Sequence, residues 1–298
     1  MTPGASPGPM IEPASGFYVS QRQRLHYVDW GAAAAPPLIL VHGGRDHCRS
    51  WDWVARELSD AWHVIAPDLR GHGDSAWSSD GGYSMESYVY DLAELVRTLA
   101  FDRVSIIAHS LGGNVALRFA GLYPDKVAGL VAIEGLGPAP AKLAERRQRP
   151  QAEHLRAWIE KRRDIAARQP RRYRTLEEAQ ARLMQENRHL TAERARHLTV
   201  HGVVRHEDAT FSWKFDPYVR SMPPDLVLGQ PDALWSEIRC PTLLVYGADS
   251  WASNPAVDGR ADYFSSAEVM LVEGAGHFVH HDRHRLFVDT VRGFLGAL

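Results

Sequence analysis

A chain of 298 residues with 45% hydrophobic content can bury a substantial core, as one large domain or two smaller ones. A formal net charge of −2 and a pI near 6.7 give no basic surface of the kind that nucleic acid or an anionic membrane would select. Cys48 and Cys240 are too far apart in sequence to suggest a disulfide framework or a zinc pattern, and no apolar stretch is long enough to span a bilayer.

The N-terminal run MTPGASPGPMIEPASG has neither a basic n-region nor an apolar h-region, so it does not read as a secretory signal. Its Pro, Gly and Ser content predicts a flexible leader over residues 1–15, and the expected location is cytoplasmic. Phe17–Val19 and Leu25–Trp30 read as a hairpin. The apolar run Pro37–Val41 predicts a buried strand that enters His42-Gly43-Gly44. A helix follows over Ser50–Ser59 with Trp51, Val54 and Leu58 on one face, then a strand over His63–Pro67 and a glycine-punctuated loop, Asp68–Ser75. An amphipathic helix is expected over Ser87–Leu99, a strand from Val104, a helix over 111–123 and a strand over Gly129–Ile133. Strands return at Pro241–Gly247 and Val269–Val272, and a last helix covers 283–297.

This alternation predicts an α/β fold: a mostly parallel sheet with helices on both faces. Between its two halves, residues 138–236 are rich in Arg, Glu, Gln and Ala and show no strong strand. They read as an inserted helical cap over the carboxyl ends of the strands, where open α/β sheets bind ligands. The core is then 16–137 with 237–298. The charge-dense stretch 144–196 reads as solvated helical surface.

Ala108-His109-Ser110-Leu111-Gly112-Gly113 joins the strand from Val104 to the helix at 111. A serine at the apex of a strand–turn–helix is a nucleophile elbow. Its usual form is G-x-S-x-G, and Ala108, small enough for the tight turn, replaces the first glycine. The turn sets one hydroxyl at the end of a sheet beside a helix N-terminus, where backbone N–H groups can stabilise an oxyanion. A serine hydroxyl needs a base, and Gly274-Ala275-Gly276-His277-Phe278 places one after the last strand.

Taken in order, LILVHGG, APDLRGHGDS, AHSLGG, TLLVYG and EGAGHF resemble a capped serine hydrolase of the α/β-hydrolase superfamily, of the esterase or lactonase kind, over about residues 16–298. The resemblance implies Ser110 as nucleophile, His277 as general base and then acid, and an oxyanion hole from the N–H groups of Leu111 and Gly44. His42 and the Asp68–Ser75 loop are expected to order loops beneath the site.

The acid has two candidates. Family members often carry it in a G-x-x-D pattern after the strand ending at Gly247, but here that position is Ser250 and Asp249 sits one residue early. Glu134, at the end of the strand Gly129–Ile133, is favoured, because a carboxylate closing an apolar strand is costly unless paired. Other members, such as haloalkane dehalogenases and zearalenone-type lactonases, place the acid there.

His280 and His284 have a spacing that can bind zinc on a helix. The elbow already accounts for the chemistry, Asp282 reads as a cap for the last helix, and no metal or cofactor is expected. Aspartate is the nucleophile of epoxide hydrolases and haloalkane dehalogenases in this superfamily, so Ser110 points instead to acyl transfer on an ester or lactone. A C–C bond hydrolase on the same triad and a non-catalytic binding member are the alternatives. Arg45, Trp51, Trp213, Trp251 and Phe278 are candidate pocket residues, with Trp53, Trp158, Phe215, Tyr218 and Trp235 as further aromatics. The expected partner is a small-molecule substrate with an apolar or aromatic moiety, not nucleic acid or membrane; the sequence is silent on oligomeric state.

Overall fold

The computed structural model describes residues 12–224 and 232–298. Most of the expected leader therefore lies outside the described residues. Its last four positions do not, and the final two, Ala14 and Ser15, open β1 (Ala14–Ser20), which pairs antiparallel with β2 (Gln23–Asp29).

The chain continues through β3 (Pro37–Val41), α1 (Asp52–Leu58), β4 (His63–Pro67), α2 (Met85–Thr98), β5 (Val104–His109), α3 (Leu111–Leu122) and β6 (Val127–Ile133). Helix α2 starts two residues before the expected position because Ser84 caps it, its Oγ accepting from the Ser87 N–H. After an insertion, β9 (Thr242–Gly247) and β10 (Ala267–Val272) complete an eight-stranded sheet in the order β1-β2-β4-β3-β5-β6-β9-β10. All neighbours from β4 to β10 are parallel. A short helix, α9 (Val279–Asp282), and a longer one, α10 (His284–Gly296), close the chain.

Strand alternation divides the interior into two layers. Ile39, Val41, Ile106, Ala108 and Leu130 face one core, packed by α2 and α3. Leu38, Leu40, Ile107, Val131 and Ile133 face the other, packed by α1 and α10. Central strands β3 to β6 are buried on both faces, which is why they read as unbroken apolar runs.

The insertion holds α4 (Pro140–Arg147), α5 (Gln151–Ala166), α6 (Leu176–Glu186) and α7 (Ala192–Gly202). It also holds a ribbon, β7 (Val203–Arg205) with β8 (Phe211–Trp213), whose three-residue strands are too short to leave a periodic signal. The sheet fold resumes earlier than the composition suggests. The short helix α8 (Asp232–Trp235) packs on α3, where a Cβ on Gly121 would come within 2.2 Å of the Leu234 carbonyl, and Trp235 joins the main core. No helix among the described residues is long and apolar enough to cross a membrane.

One buried ion pair ties the first hairpin to this frame. Arg70 Nε and Nη2 donate to Asp91 at 2.5 and 2.6 Å, and Ser20 Oγ donates to the same carboxylate at 2.5 Å. Asp91→Ala leaves Arg70 buried and unpaired, and the expected loss is about 3–5 kcal/mol by chemical denaturation. The double change Arg70→Met/Asp91→Leu is expected to cost less than that single one; a larger loss would show that the pair itself stabilises the fold.

Candidate active site

Parallel register sets the site. Val41 of β3 aligns with Ala108 of β5, His109 of β5 with Ile133 of β6, and Ile133 with Val245 of β9. The segments after these strands, beginning at His42, Ser110, Glu134 and Ala248, therefore leave the sheet side by side at its carboxyl edge. The ladder continues one step past the strands: Ser110 N–H donates to Ile133 C=O at 2.8 Å and Glu134 N–H to Val245 C=O at 3.0 Å.

Ser110 sits at φ 51°, ψ −112° and Glu134 at φ 49°, both in a region that non-glycine residues rarely occupy. Three glycines permit the crossing beneath them. A Cβ on Gly112 would meet the His42 carbonyl oxygen at 2.4 Å, and one on Gly113 would meet Gly135 Cα at 2.7 Å. Gly135 is equally constrained by Gly113.

His277 Nε2 lies 3.0 Å from Ser110 Oγ. Its Nδ1 makes a short hydrogen bond to Glu134 Oε2. The Glu134 carboxylate is buried and fully engaged: Gly247 N–H donates to Oε1 at 3.0 Å and Ser250 Oγ donates to Oε2 at 2.7 Å. The structure thus brings Ser110, His277 and Glu134 into one hydrogen-bonded line. Asp249 is exposed, and its carboxylate makes no hydrogen bond or ion pair among the described residues; its backbone N–H holds Ala275 C=O at 2.9 Å.

Leu111 opens α3, so its N–H has no intrahelical acceptor. Gly44 faces it across the mouth, where a Cβ would touch Leu111 Cδ2 at 3.8 Å. Gly44, Arg45, Trp213, Trp251 and Phe278 all line a cavity of about 1030 Å³ that contains Ser110 and His277. Trp251 is 70% exposed, its ring centroid 5.1 Å from that of His277. Trp51 is a correction. It is fully buried and stacks on His280 with centroids 4.5 Å apart, because the 3₁₀ turn Cys48–Trp51 points it into the core. Trp158 is also spent elsewhere, donating from Nε1 to Ser221 C=O, whereas Phe215 lines the cavity.

Several supporting residues carried little signal in the sequence. His109 Nε2 donates to the His277 carbonyl at 2.9 Å, tying the histidine loop to the elbow, and burial together with the nearby His277 pushes its pKa well below the usual histidine range. Its only sequence signal is its place beside Ser110. Asp282 does not cap the last helix; its Oδ2 accepts the Gly276 N–H at 2.9 Å and so braces the same loop.

Beneath the oxyanion loop, His42 Nδ1 donates to Gly43 C=O and its Nε2 accepts the Leu69 N–H at 2.9 Å. Asp68 accepts from the N–H groups of Cys48 and Asp74 and pairs with His26 at 2.7 Å. Burial opposes its charge, but these partners hold its pKa below the ordinary carboxylate range.

Among the described residues, two donor groups reach metal-ligand proximity: His26, Cys48 and Asp68, and Asp52, His197 and His201. The first is committed to the hydrogen bonds just described. In the second, Arg49 occupies the Asp52 carboxylate at 2.7 Å, and His197 sits 3.0 Å from it. His280 and His284 do not converge: His284 pairs with Glu57 at 2.7 Å while His280 stacks on Trp51.

Residues 36–284 match the family model described as the alpha/beta hydrolase fold. This chain belongs to the alpha/beta hydrolase family. Esterase Rv0045c of Mycobacterium tuberculosis is 30% identical over 274 residues, covering 89% of this chain and 84% of that protein. A crystal structure of that esterase superposes with a TM-score of 0.77, at 25% identity, over 97% of this chain and 93% of the other. E-2-(acetamidomethylene)succinate hydrolase superposes with a TM-score of 0.78 over 96% and 100% of the two chains, and at 23% identity this shows a shared fold. The α/β-hydrolase sheet accounts for the shared edge on which Ser110, Glu134 and the histidine loop stand.

Burial pushes the pKa of His42 down to about 3, His281 to about 3 and His72 to about 4. Unfolded histidine titrates near 6.5, so between those values the unfolded chain binds the extra protons. Stability is then complete above pH ~6.5 and falls as pH drops, by about 1.4 kcal/mol per unit for each such histidine. Asp68 acts only lower, below its unfolded value near ~4. Urea midpoints are expected to fall steadily from pH 7 to pH 5; a flat profile would mean these histidines are not buried neutral.

Proposed function

We propose that the protein is a serine hydrolase that cleaves a carboxylic ester or lactone with an apolar or aromatic moiety through an acyl-enzyme. The observation that carries this reading is the line Ser110–His277–Glu134. His277 Nε2 accepts the Ser110 proton as Oγ attacks the carbonyl carbon, and Glu134 on Nδ1 fixes the imidazole orientation and stabilises the imidazolium. The tetrahedral oxyanion forms beside the Leu111 and Gly44 N–H groups. His277 then returns the proton to the leaving alkoxide, and a water molecule repeats the sequence to release the acid.

The esterase relative supports ester chemistry, and a serine at the apex disfavours the alkyl-enzyme route of aspartate nucleophiles. The insertion acts as a cap: α6 and β8 supply cavity walls above Ser110. Two buried unpaired cysteines support a reducing, cytoplasmic setting. C–C bond hydrolysis on the same residues remains the second reading.

A fluorophosphonate probe should label the wild type and not Ser110→Ala, and equal labelling of both would sink the nucleophile assignment. With 4-nitrophenyl esters, Ser110→Ala should lose at least ~10³-fold in kcat, and Glu134→Gln about 10²–10⁴-fold. Asp249→Asn should stay near wild type. Loss of turnover in Asp249→Asn with retention in Glu134→Gln would reverse the assignment of the acid.

A further inference from the structure

The two parts of the chain carry opposite charge. Residues 138–224 hold 19 Lys and Arg against 11 Asp and Glu, while the rest holds 15 against 25. A net charge near zero for the whole chain hides this separation. The positive part overlies the cavity that contains Ser110. Seven cations line that cavity, and all but Arg45 come from the insertion.

Much of the acidic lining is already committed. Glu186 is shared by Arg45 at 3.3 Å and Arg182 at 2.7 Å. Asp46 accepts from His47 N–H and Ser50 Oγ, and Asp282 accepts from Gly276 N–H. Asp164 and Asp249 remain as counter-charges. On the basic side, the guanidinium groups of Arg168, Arg188 and Arg220 have no hydrogen-bonding or ion-pair partner among the described residues. The same cavity has apolar walls from Leu111 and Phe278, the chain neighbours of Ser110 and His277, and from Trp213 and Phe215. The cavity therefore combines apolar walls with a cationic lining drawn mainly from the insertion.

We propose that the substrate carries an anionic group, a carboxylate or a phosphate, remote from the scissile carbonyl and received by Arg168, Arg188 and Arg220. The proposal rests on the hydrolase reading of Ser110 and names the substrate class it selects. A cleft lined by one sign of charge raises the local concentration of the opposite sign. Guanidinium groups suit both anions, because their planar donors match carboxylate and phosphate oxygens. All three arginines are exposed to solvent, and they also border the cavity that holds Ser110.

Two matched pairs test this. 4-Nitrophenyl glutarate is compared with neutral 4-nitrophenyl pentanoate, which places a carboxylate in the acyl part. Butanoyl-coenzyme A is compared with the butanoyl thioester of N-acetylcysteamine, which places phosphates in the leaving group. The anionic member of at least one pair should show about tenfold or higher kcat/KM, mainly through KM. The preferred pair identifies the source of the anion. The preference should shrink between about 50 and about 500 mM salt. The triple variant Arg168→Gln/Arg188→Gln/Arg220→Gln should lose the preference and keep its rate on the neutral esters.

Equal or better turnover of both neutral partners would overturn the proposal, as would a preference that survives in the triple variant. Calorimetry with Ser110→Ala tests the proposal without turnover: 4-nitrophenyl glutarate or butanoyl-coenzyme A should bind more tightly than its neutral counterpart, and no difference in either pair would count against it. Failure of wild type to turn over any of the four would overturn the hydrolase reading instead.

Discussion

The site depends on one close crossing, where the start of α3 passes over the chain leaving β6. Gly113 and Gly135 approach so nearly that a side-chain carbon on either would fall within 2.8 Å of the other's backbone. That contact brings the carboxylate on one strand end within one imidazole of the hydroxyl on the next. Any larger residue would drive α3 off the sheet and part Ser110 from Glu134. The same helix start is held on its other side by Gly112 against the His42 carbonyl, so the oxyanion loop, the elbow and the acid are positioned by a single packing arrangement.

A carboxylate at the end of β6, as proposed for the acid, has a structural logic. β6 lies inside the sheet, flanked by β5 and β9, and its end cannot shift without breaking two ladders. A buried carboxyl is tolerated only when its oxygens are satisfied. Gly247 N–H at the end of β9 and Ser250 Oγ–H in the loop after it supply this, and His277 supplies the third bond. Ser250, the position where the family resemblance leads one to expect the acid, is thus a donor to the Glu134 carboxylate proposed for that role. An aspartate at 250 would bring a second carboxylate against Glu134, so serine there and glutamate at 134 are physically linked choices.

Much of this was legible in the sequence because its signals are local. Continuous apolar runs mark strands buried on both faces, and the order of serine, strand and histidine marks the elbow and its base. Glu134 was legible because an unpaired carboxylate ending an apolar strand demands a partner. What escaped depends on long-range packing. Trp51 and Trp53 look alike as aromatics after the oxyanion loop, but only the turn at Cys48–Trp51 decides that Trp51 points into the core. The bracing of the histidine loop by His109 and Asp282 joins atoms far apart in the chain or across a turn, and no periodicity encodes it. The ribbon β7–β8 is too short to be seen by alternation.

The insertion is attached by a different physics from that of the core. Helices α4 and α5 bury no residue, and the insertion's own apolar cluster is small, centred on Tyr173, Ala179 and Val203. One apolar patch joins it to the sheet, where Phe215, Tyr218, Val219 and Met222 pack on the main core, and polar contacts tie it down around the cleft. Tyr83 Oη donates to Asp216 at 2.5 Å, Arg162 donates to the carbonyls of Asp80 and Gly81, and Lys214 pairs with Asp74 at 2.8 Å. His47 Nε2 donates to Leu198 C=O at 2.9 Å. Water can replace such bonds at a net cost of only about 0.5–1.5 kcal/mol each, whereas parting two apolar layers costs in proportion to their area. The roof of the cavity is therefore joined to the sheet by a smaller apolar contact than the sheet's two layers share with their helices, while Ser110, His277 and Glu134 stand on the sheet side.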